Sequence, residues 1–521
     1  MIWGYAPDLI AQTEKPLVAQ ADREQGADAL MRRAAYALAH HTHRALSGAE
    51  ADITVSSVPR GRRRILVLVG AGNNGGDGLY GAAYLRRRGY PVAVLPTSKH
   101  IHERGAAAAR QAGVEFWPSV LPETVGEALH ALQAWKPVAI IDAIIGIGAR
   151  PPLREPALSL VRGISELLSQ WPKGSVPLVV ACDHPSGLDL YRGADLGPNQ
   201  ELLSADLTVT MGAAKTGMLV GPGALTIGRL QVQDIGLPQQ TMQPGVGLIE
   251  RADVRELWPW PHFADHKYSR GVLGVMAGSA RYPGAGVLVT GAALNAGESF
   301  VRYLGEPSVQ SVVIQACPEV VLGEGRCQAR IIGPGFAAGS PQHREQMLSA
   351  WRGRGARELV ILDAGALGLI GTEIQPDANC LLTPHAGEAA TLAAQLGQET
   401  TRETIEANPY DWASQLAADT HATVLLKGPT TTIANPEGQV YSLTHGTRDL
   451  ATAGSGDVLA GILGYVFAAA NACTEITGES LDLGKLAAVA AWLHAEAGRL
   501  AAPTPRATAI IQAIPRALAG L

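Results

Sequence analysis

Charged side chains are scarce in this chain, at 17% of 521 residues, and aromatic ones scarcer still at 5%. A net charge of −5 offers no broad basic surface, which argues against nucleic acid or an anionic membrane as a partner. The basic run RGRRR (60–64) stands alone without aromatic neighbours and reads as a solvated turn. Cysteines number only five, are scattered, and form no C-x-x-C pair. That pattern excludes a disulfide framework and a zinc ribbon and points to a reducing, cytoplasmic setting. The opening residues MIWGYAPDLIAQTEK lack a basic segment followed by an apolar one, so no secretory signal is expected. Long apolar runs are missing too. The most membrane-like, VLAGILGYVFAAA (458–470), is shorter than the about 20 residues of a membrane span and reads as a buried helix.

Apolar residues at 47% and 60 glycines are plentiful, a balance suited to parallel sheets buried under closely packed helices. A chain of this length calls for two or more cores. Residues 19–46 have helical character, broken only at Gly26. Short Val/Ile/Leu runs then alternate with helical patterns: RILVLVG (64–70), YPVAVLP (90–96), VAIIDA (138–143), PLVVACD (177–183) and LTVTMG (207–212). This alternation predicts a doubly wound α/β domain. A proline-rich, polar stretch over 239–265 reads as a connection. A second series predicts a further α/β domain over 266–521: GVLGVMAG (271–278), VQSVVIQA (309–316), ARIIG (329–333), LVILDAG (359–365), TVLLKG (423–428) and TTTIA (430–434).

After the first of these runs comes GAGNNGGDG (70–78), whose glycines satisfy the dinucleotide fingerprint G-x-G-x-x-G. That site also needs an acidic residue at the end of the second strand, to hold the ribose hydroxyls. No Asp or Glu occurs between Asp77 and Glu103, so the dehydrogenase reading fails. Asn73, Asn74 and Asp77 add amide oxygens and a carboxylate to the glycine loop. A carboxylate repels an anion there unless a hard cation lies between them. Asp142 and Asp183 fall at strand ends, with Ser186 close behind, where ligands of open α/β sheets gather.

GAGNNGGDG, DAIIGIGARPP (142–152), DHPSGLD (183–189), ADLTVTMGAAKTGM (205–218) and VQDIGLP (232–238) resemble the NAD(P)H-hydrate epimerase family, in order and spacing. The resemblance implies a Rossmann-like fold over residues 1–238 in which a damaged nicotinamide cofactor is the substrate. It implies that Asn74, Asp142 and Ser186 hold a potassium ion. Asn73, Asn74, Gly75, Gly76 and Asp77, with the turn Gly146, Ile147, Gly148, Ala149, Arg150, Pro151 and Pro152, would bind the hydrate. Asp183 would bind it too and move the proton. Two departures stand out: Arg32 occupies the Glu position of a Leu-Met-Glu-x-Ala-Gly run, and Ile147 the Thr position of a Gly-Thr-Gly turn.

In the second half, ATAGSGDVLAGILG (451–464) leads glycines directly into an apolar helix. Exposed N–H groups at such a start form an anion hole for a phosphoryl group, and Asp457 beside it can accept the proton of an attacking hydroxyl. With HKYSRGVLGVMAGSARYPGAGVL (266–288), IIGPGF (331–336), LDAGAL (362–367), TPHAGE (383–388) and LKGPTTTIA (426–434), the segment resembles the ribokinase-like NAD(P)H-hydrate dehydratases that use ADP or ATP. The resemblance implies Asp457 as base, with Ala285, Gly335 and His385 also on the hydrate. Lys427, Gly428, Pro429, Thr430, Thr431 and Gly456 would hold the nucleotide, with Mg2+ on its phosphates. Departures here are Ala337 in Gly-Pro-Gly-Phe-Ala, Gly365 after Asp363-Ala, and Glu298-Ser299 in a usual Ala-Gly-Ala-Gly run.

The fused arrangement resembles bacterial enzymes that use ADP, and the superfamily resemblance is compatible with a homo-oligomer. Two readings therefore stand: a bifunctional repair enzyme for NAD(P)H hydrates, or a ribokinase-like small-molecule kinase fused to a non-catalytic nucleotide-binding domain.

Overall fold

The computed structural model describes residues 1–48, 59–148, 150–172, 174–195, 197, 201–298, 300–478, 480–503 and 506–521. Ala149 of the predicted hydrate turn and Ser299 lie outside the described residues. The chain divides into two compact units, Trp3–Gly245 and Val246–Leu521, the latter joined by Met1–Ile2.

In the first unit, strands β1 (Ile2–Tyr5), β2 (Ile65–Val69), β3 (Val92–Pro96), β4 (Glu115–Phe116), β5 (Ala139–Ala143), β6 (Leu178–Cys182), β7 (Leu207–Met211), β8 (Ala214–Lys215) and β9 (Arg229–Gln233) are recognised. Seven of them form a sheet in the order β4-β3-β2-β5-β6-β7-β9, every pairing parallel. All residues of β2, β3, β5, β6 and β7 are buried, because helices cover both faces. The order reverses between β2 and β5. That switch point opens a crevice beyond the strand ends, and the glycine loop lies there.

The glycines of that loop serve close packing. A Cβ on Gly70 would stand 1.7 Å from Ile144 O, one on Gly75 2.1 Å from Gly70 O, and one on Gly78 2.5 Å from Ala143 Cβ. Where a dinucleotide site would carry its acidic residue, β3 is followed by buried Thr97, whose N–H and Oγ1 both bond Val69 O.

The second unit contains β10 (Val246–Leu248), β11 (Leu273–Met276), β12 (Val301–Tyr303), β13 (Val321–Leu322), β14 (Ala329–Ile332), β15 (Leu359–Leu362), β16 (Cys380–Leu382), β17 (Thr423–Leu426), β18 (Thr431–Ala434) and β19 (Val440–Leu443). They run β13-β12-β11-β14-β15-β16-β17-β18-β19-β10, with β18 antiparallel to both neighbours and every other pairing parallel. Helix Ser455–Thr477 packs on Pro283–Ala296 so closely that a Cβ on Gly461 would fall 2.2 Å from Val289 O. This helix contains the membrane-like run. Its stretch Ser455–Glu475 is long and apolar enough to cross a membrane, yet 78% of it is buried inside the protein.

One strand expectation is overturned. VQSVVIQA (309–316) forms the helix Pro307–Ala316, with proline in its first turn and Val309 and Val313, one turn apart, buried. The β-branched content suggested a strand, but Val312 between them is 40% exposed, which a strand buried on both faces would not allow. Val301–Tyr303 takes the strand position beside β11. The helical stretch over 19–46 is the end of Pro7–Gln25 followed by Ala29–Leu46, with Gly26 at φ +86° between them. Within 239–265, Val246–Leu248 pairs with Val440–Leu443 and Arg251–Leu257 is helical.

Candidate active sites

At the switch point of the first unit, three oxygen-bearing side chains meet. Asp142 ends β5, fully buried; its Oδ2 accepts from Ser186 N–H at 2.7 Å and its Oδ1 from Ser186 Oγ at 2.6 Å. Ile145 N–H donates to Ser186 Oγ at 3.1 Å, and Asn74 Nδ2 donates to Ile145 O at 2.7 Å. Gly146 sits against Asn74, a Cβ there being 3.1 Å from Asn74 Cβ. The structure thus gathers Asn74, Asp142, Gly146 and Ser186. Asn74 Oδ1 is buried with no hydrogen-bond partner. An orphaned amide oxygen beside a buried carboxylate and a hydroxyl fits a hard cation, since all the donors are oxygen. Burial raises the Asp142 carboxyl, against the Ser186 and Ile144 hydrogen bonds that lower it.

Asp183 follows β6 with φ +70°, a strained backbone for a non-glycine residue that aims its carboxylate. Its Oδ1 accepts from Thr210 Oγ1 at 3.0 Å, from Met211 N–H at 3.2 Å and from Lys215 Nζ. Lys215 is 1% exposed and also donates to Thr210 Oγ1 at 2.7 Å. Burial raises the Asp183 carboxyl, but Lys215, His184 and the hydrogen bonds outweigh it, and the net direction is down. Asp77, the fifth residue of helix Asn73–Arg87, goes the other way. Burial first, then the charges of Asp183 and Glu14, hold it well above the usual carboxylate range, and its Oδ1 is buried without a partner. Burial and charge thus push the two neighbouring carboxyls in opposite directions, Asp183 towards the ionised form and Asp77 towards the protonated one, the kind of division that acid and base roles use.

The remaining predicted turn is less gathered. Ile147 packs on the hydrophobic core with its side chain, so the hydroxyl of a Gly-Thr-Gly turn gives way to an apolar anchor. Arg150 lies over the Tyr191 ring at 5.6 Å. Arg32 donates to Gln25 O at 3.3 Å, whereas its neighbour Met31 packs on Gly76, where a Cβ would be 2.6 Å from the sulfur.

In the second unit the helix Ser455–Thr477 starts from Gly454 at φ +82°. Its first bond back to the cap is Val458 N–H to Gly454 O at 3.2 Å, so the N–H groups of Gly456 and Asp457 precede it and remain orphan donors. Lys427 Nζ lies 3.8 Å from where a Gly456 Cβ would stand. It pairs with Asp363 Oδ1 at 2.9 Å and Glu388 Oε2 at 3.7 Å, and Thr383 Oγ1 donates to Asp363 Oδ1 at 2.7 Å. Burial pushes the Asp457 carboxyl up to about 6, Asp363 adds to it, and Lys427 opposes both. Lys427 to Thr430 form the turn between β17 and β18, Thr431 opens β18, and Lys427 N–H donates to Pro384 O at 2.8 Å, beside His385. His385 caps Ala386–Gln395: its Nδ1 accepts from Gly387 N–H at 3.0 Å and Glu388 N–H at 3.2 Å, while its ring stays exposed. Gly335, at φ +74°, packs where a Cβ would be 2.7 Å from Ala285 Cβ; Leu288, on the same helix as Ala285, reaches Gly454. These contacts link Gly335, Ala285, Gly454, Asp457, Lys427 and His385 into one region.

Lys215, Thr210, Glu388 and Asp363 join these sites from within the motifs that carry the resemblance, with no role assigned to them there, and Glu14 joins from outside any motif. A lone lysine in the apolar context GAAKTG is a usable signal for Lys215. Nothing local marks Glu14, which comes from the first helix. Among the described residues no group of three or more His, Cys, Asp or Glu side chains could hold a metal ion.

Residues 27–217 match the family described as YjeF-related protein N-terminus, and residues 273–517 the family described as NAD(P)H-hydrate dehydratase. A Mycobacterium tuberculosis (strain CDC 1551 / Oshkosh) protein named bifunctional NAD(P)H-hydrate repair enzyme Nnr is 36% identical over 476 residues, spanning 89% of this chain and 89% of its own. A Mycobacterium leprae (strain TN) protein of the same name is 36% identical over 487 residues, spanning 91% of this chain and 90% of its own. Among solved structures, an ADP/ATP-dependent NAD(P)H-hydrate dehydratase from Bacillus subtilis, co-crystallized with ATP/Mg2+, is 24% identical over 52% of this chain and 97% of its own, with a TM-score of 0.45.

Proposed function

This chain belongs to the family of bifunctional NAD(P)H-hydrate repair enzymes, and from that premise we propose how its two sites divide the work. The protein is an epimerase and a nucleotide-dependent dehydratase acting on one substrate, hydrated NAD(P)H. Residues 1–238 carry epimerisation and 266–521 carry dehydration; of the stretch 239–265 between them, the part from Val246 onward is built into the second unit.

In the first unit the hydrate lies against Asn73–Asp77 and the turn 146–152. The hydrate carbon bears both nitrogen and hydroxyl, so it inverts by opening and re-closing. Asp77 keeps a proton to give; Asp183, held ionised by Lys215, takes one. Asn74, Asp142 and Ser186 would hold K+, whose charge would fix the hydrate's anionic groups beside the Asn-rich loop.

In the second unit Asp457 takes the proton of the S hydrate's hydroxyl. The N–H groups of Gly456 and Asp457 receive the phosphoryl group, with Lys427 adjacent. Residues 427–431 would hold ADP or ATP, and Mg2+ bound with the nucleotide would neutralise phosphate charge. Phosphorylation makes the hydroxyl a leaving group, and expulsion of phosphate with loss of a proton from the adjacent ring carbon restores NAD(P)H, leaving AMP from ADP or ADP from ATP.

The observation that carries this reading is a carboxyl poised at about 6 beside an orphan N–H pair and a lysine. The test is absorbance at the dihydronicotinamide band after mixing the protein with epimeric NADH hydrate, Mg2+, K+ and either nucleotide. Full recovery faster than spontaneous epimerisation is expected. A stable phosphorylated product with no reduced nicotinamide would instead establish a small-molecule kinase.

A further inference from the structure

The anion hole of the second unit has a support that the reaction itself does not use. Its turn is built from Gly454 at φ +82°, followed by Ser455, whose N–H is occupied by Thr452 O at 3.2 Å. Ser455 Oγ turns inward, 6% exposed as a residue, and meets Nε2 of His494 at 3.1 Å. His494 lies on Leu483–Ala501, 8% exposed, flanked on its helix by the buried Trp492, Leu493 and Ala495. A polar ring in such surroundings is costly unless hydrogen-bonded. Burial pushes its pKa down to about 4, so the ring is neutral at working pH. It therefore neither offers charge to a phosphoryl group nor relays a proton, and the bond to Ser455 is what remains for it to do.

We propose that His494 is a positioning residue: by holding Ser455 Oγ it fixes the turn whose Gly456 and Asp457 N–H groups meet the transferring phosphoryl group. The inference rests on the reading of this helix start as the phosphoryl site. A small tilt of the first turn misaims both donors, and a misplacement of about 1 Å costs roughly 100-fold in rate. Substrate binding elsewhere in the site is untouched, so the loss belongs in kcat.

The experiment compares His494→Gln, His494→Asn, His494→Leu, Ser455→Ala and the double variant His494→Leu/Ser455→Ala in the full-length protein, with the thermal unfolding transition of the second unit as the control of folding. A glutamine amide nitrogen reaches the place of Nε2, an asparagine amide the place of Nδ1. His494→Leu and Ser455→Ala are expected to lower kcat about 10- to 100-fold with KM for the hydrate within about threefold. His494→Gln should restore most of it and His494→Asn little, and the double variant should be no worse than either single. The acid limb of the pH profile should stay where it is in every variant. Equal damage in the Gln, Asn and Leu variants, additive losses in the double, or a shifted acid limb would overturn the proposal. If the natural protein did not turn over the hydrate, the functional reading would fall. Calorimetric binding of orthovanadate with ADP would then decide the positioning role: weakening in His494→Leu with recovery in His494→Gln supports it, and unchanged binding refutes it.

Discussion

Replacing Asp457 by asparagine should abolish dehydration and, at neutral pH, make the second unit more stable. The magnitude follows from the cost of keeping this carboxylate ionised. Burial, with Asp363 adding and Lys427 opposing, raises its pKa from 3.8 to about 6. A tenfold change in proton affinity is worth about 1.4 kcal/mol, so the ionised side chain costs the folded state about 3 kcal/mol above that range. The sign is fixed by proton uptake. Between pH about 4 and about 6 the native state binds more protons here than the unfolded state, so stability falls as pH rises through that window and is level above it. Asparagine has nothing to ionise. The difference between variant and natural protein should therefore be near zero at pH 4 and grow to at most about 3 kcal/mol at pH 8, a melting shift of up to about 6–12 °C for a unit of this size. The assay is thermal unfolding of the full chain, with the second unit's transition followed by hydrogen exchange in helix Ser455–Thr477, at several pH values. Dehydration should fall at least 100-fold and epimerisation stay intact. A variant no more stable than the natural protein at pH 8, or a difference independent of pH, would refute the argument. It would mean that Asp457 is not held above its ordinary range.

Asp183→Asn should silence epimerisation, so that absorbance recovery with nucleotide stalls at the S fraction of the hydrate mixture; recovery to completion at the natural rate would remove Asp183 from the chemistry. Lys215→Met should lose epimerisation and destabilise the first unit by about 3–5 kcal/mol, because Asp183 is left buried without its cation. A urea titration showing less than about 1 kcal/mol would mean that Asp183 is solvated after all. Asn74→Ala should remove the difference between potassium and sodium in the epimerisation rate, and a natural protein equally active in both salts would dismiss the ion assignment.

The carboxyl ends of parallel strands are legible in the sequence because buried strands are short, Val/Ile-rich and followed at once by their functional residues. Asp142 and Asp183 are marked in that way, and the Gly454–Asp457 helix start likewise carries its own signal. The glycine loop shows the limit of such reading. Its spacing imitates a dinucleotide fingerprint, yet Gly70 and Gly75 are small because backbone carbonyls crowd them. Helix 307–316 is misjudged from sequence because valine content outweighs a buried pair at i and i+4. Glu14, Lys215 and His494 escape for a different reason. Each acts on a group at least 32 residues away in the chain, through a contact that only packing creates.

The two units solve the burial of a reactive carboxylate in opposite ways, and this separates their pH responses. In the first unit Lys215, Thr210 and Met211 N–H all serve one oxygen of Asp183, so the carboxylate stays ionised below its ordinary range. In the second unit the corresponding cation is engaged elsewhere. Lys427 pairs with Asp363 at 2.9 Å, so Asp457 is left at about 6. At pH 5 only about a tenth of Asp457 is ionised, while Asp183, held below its ordinary range, stays ionised. Lowering the pH from 7 to 5 should therefore cut kcat for dehydration roughly tenfold while epimerisation declines little. Measured on one sample, with excess nucleotide and each epimer followed by chromatography, the limiting step should pass wholly to the second unit at acid pH. Parallel loss of the two activities would contradict the separate tuning, whatever the absolute rates.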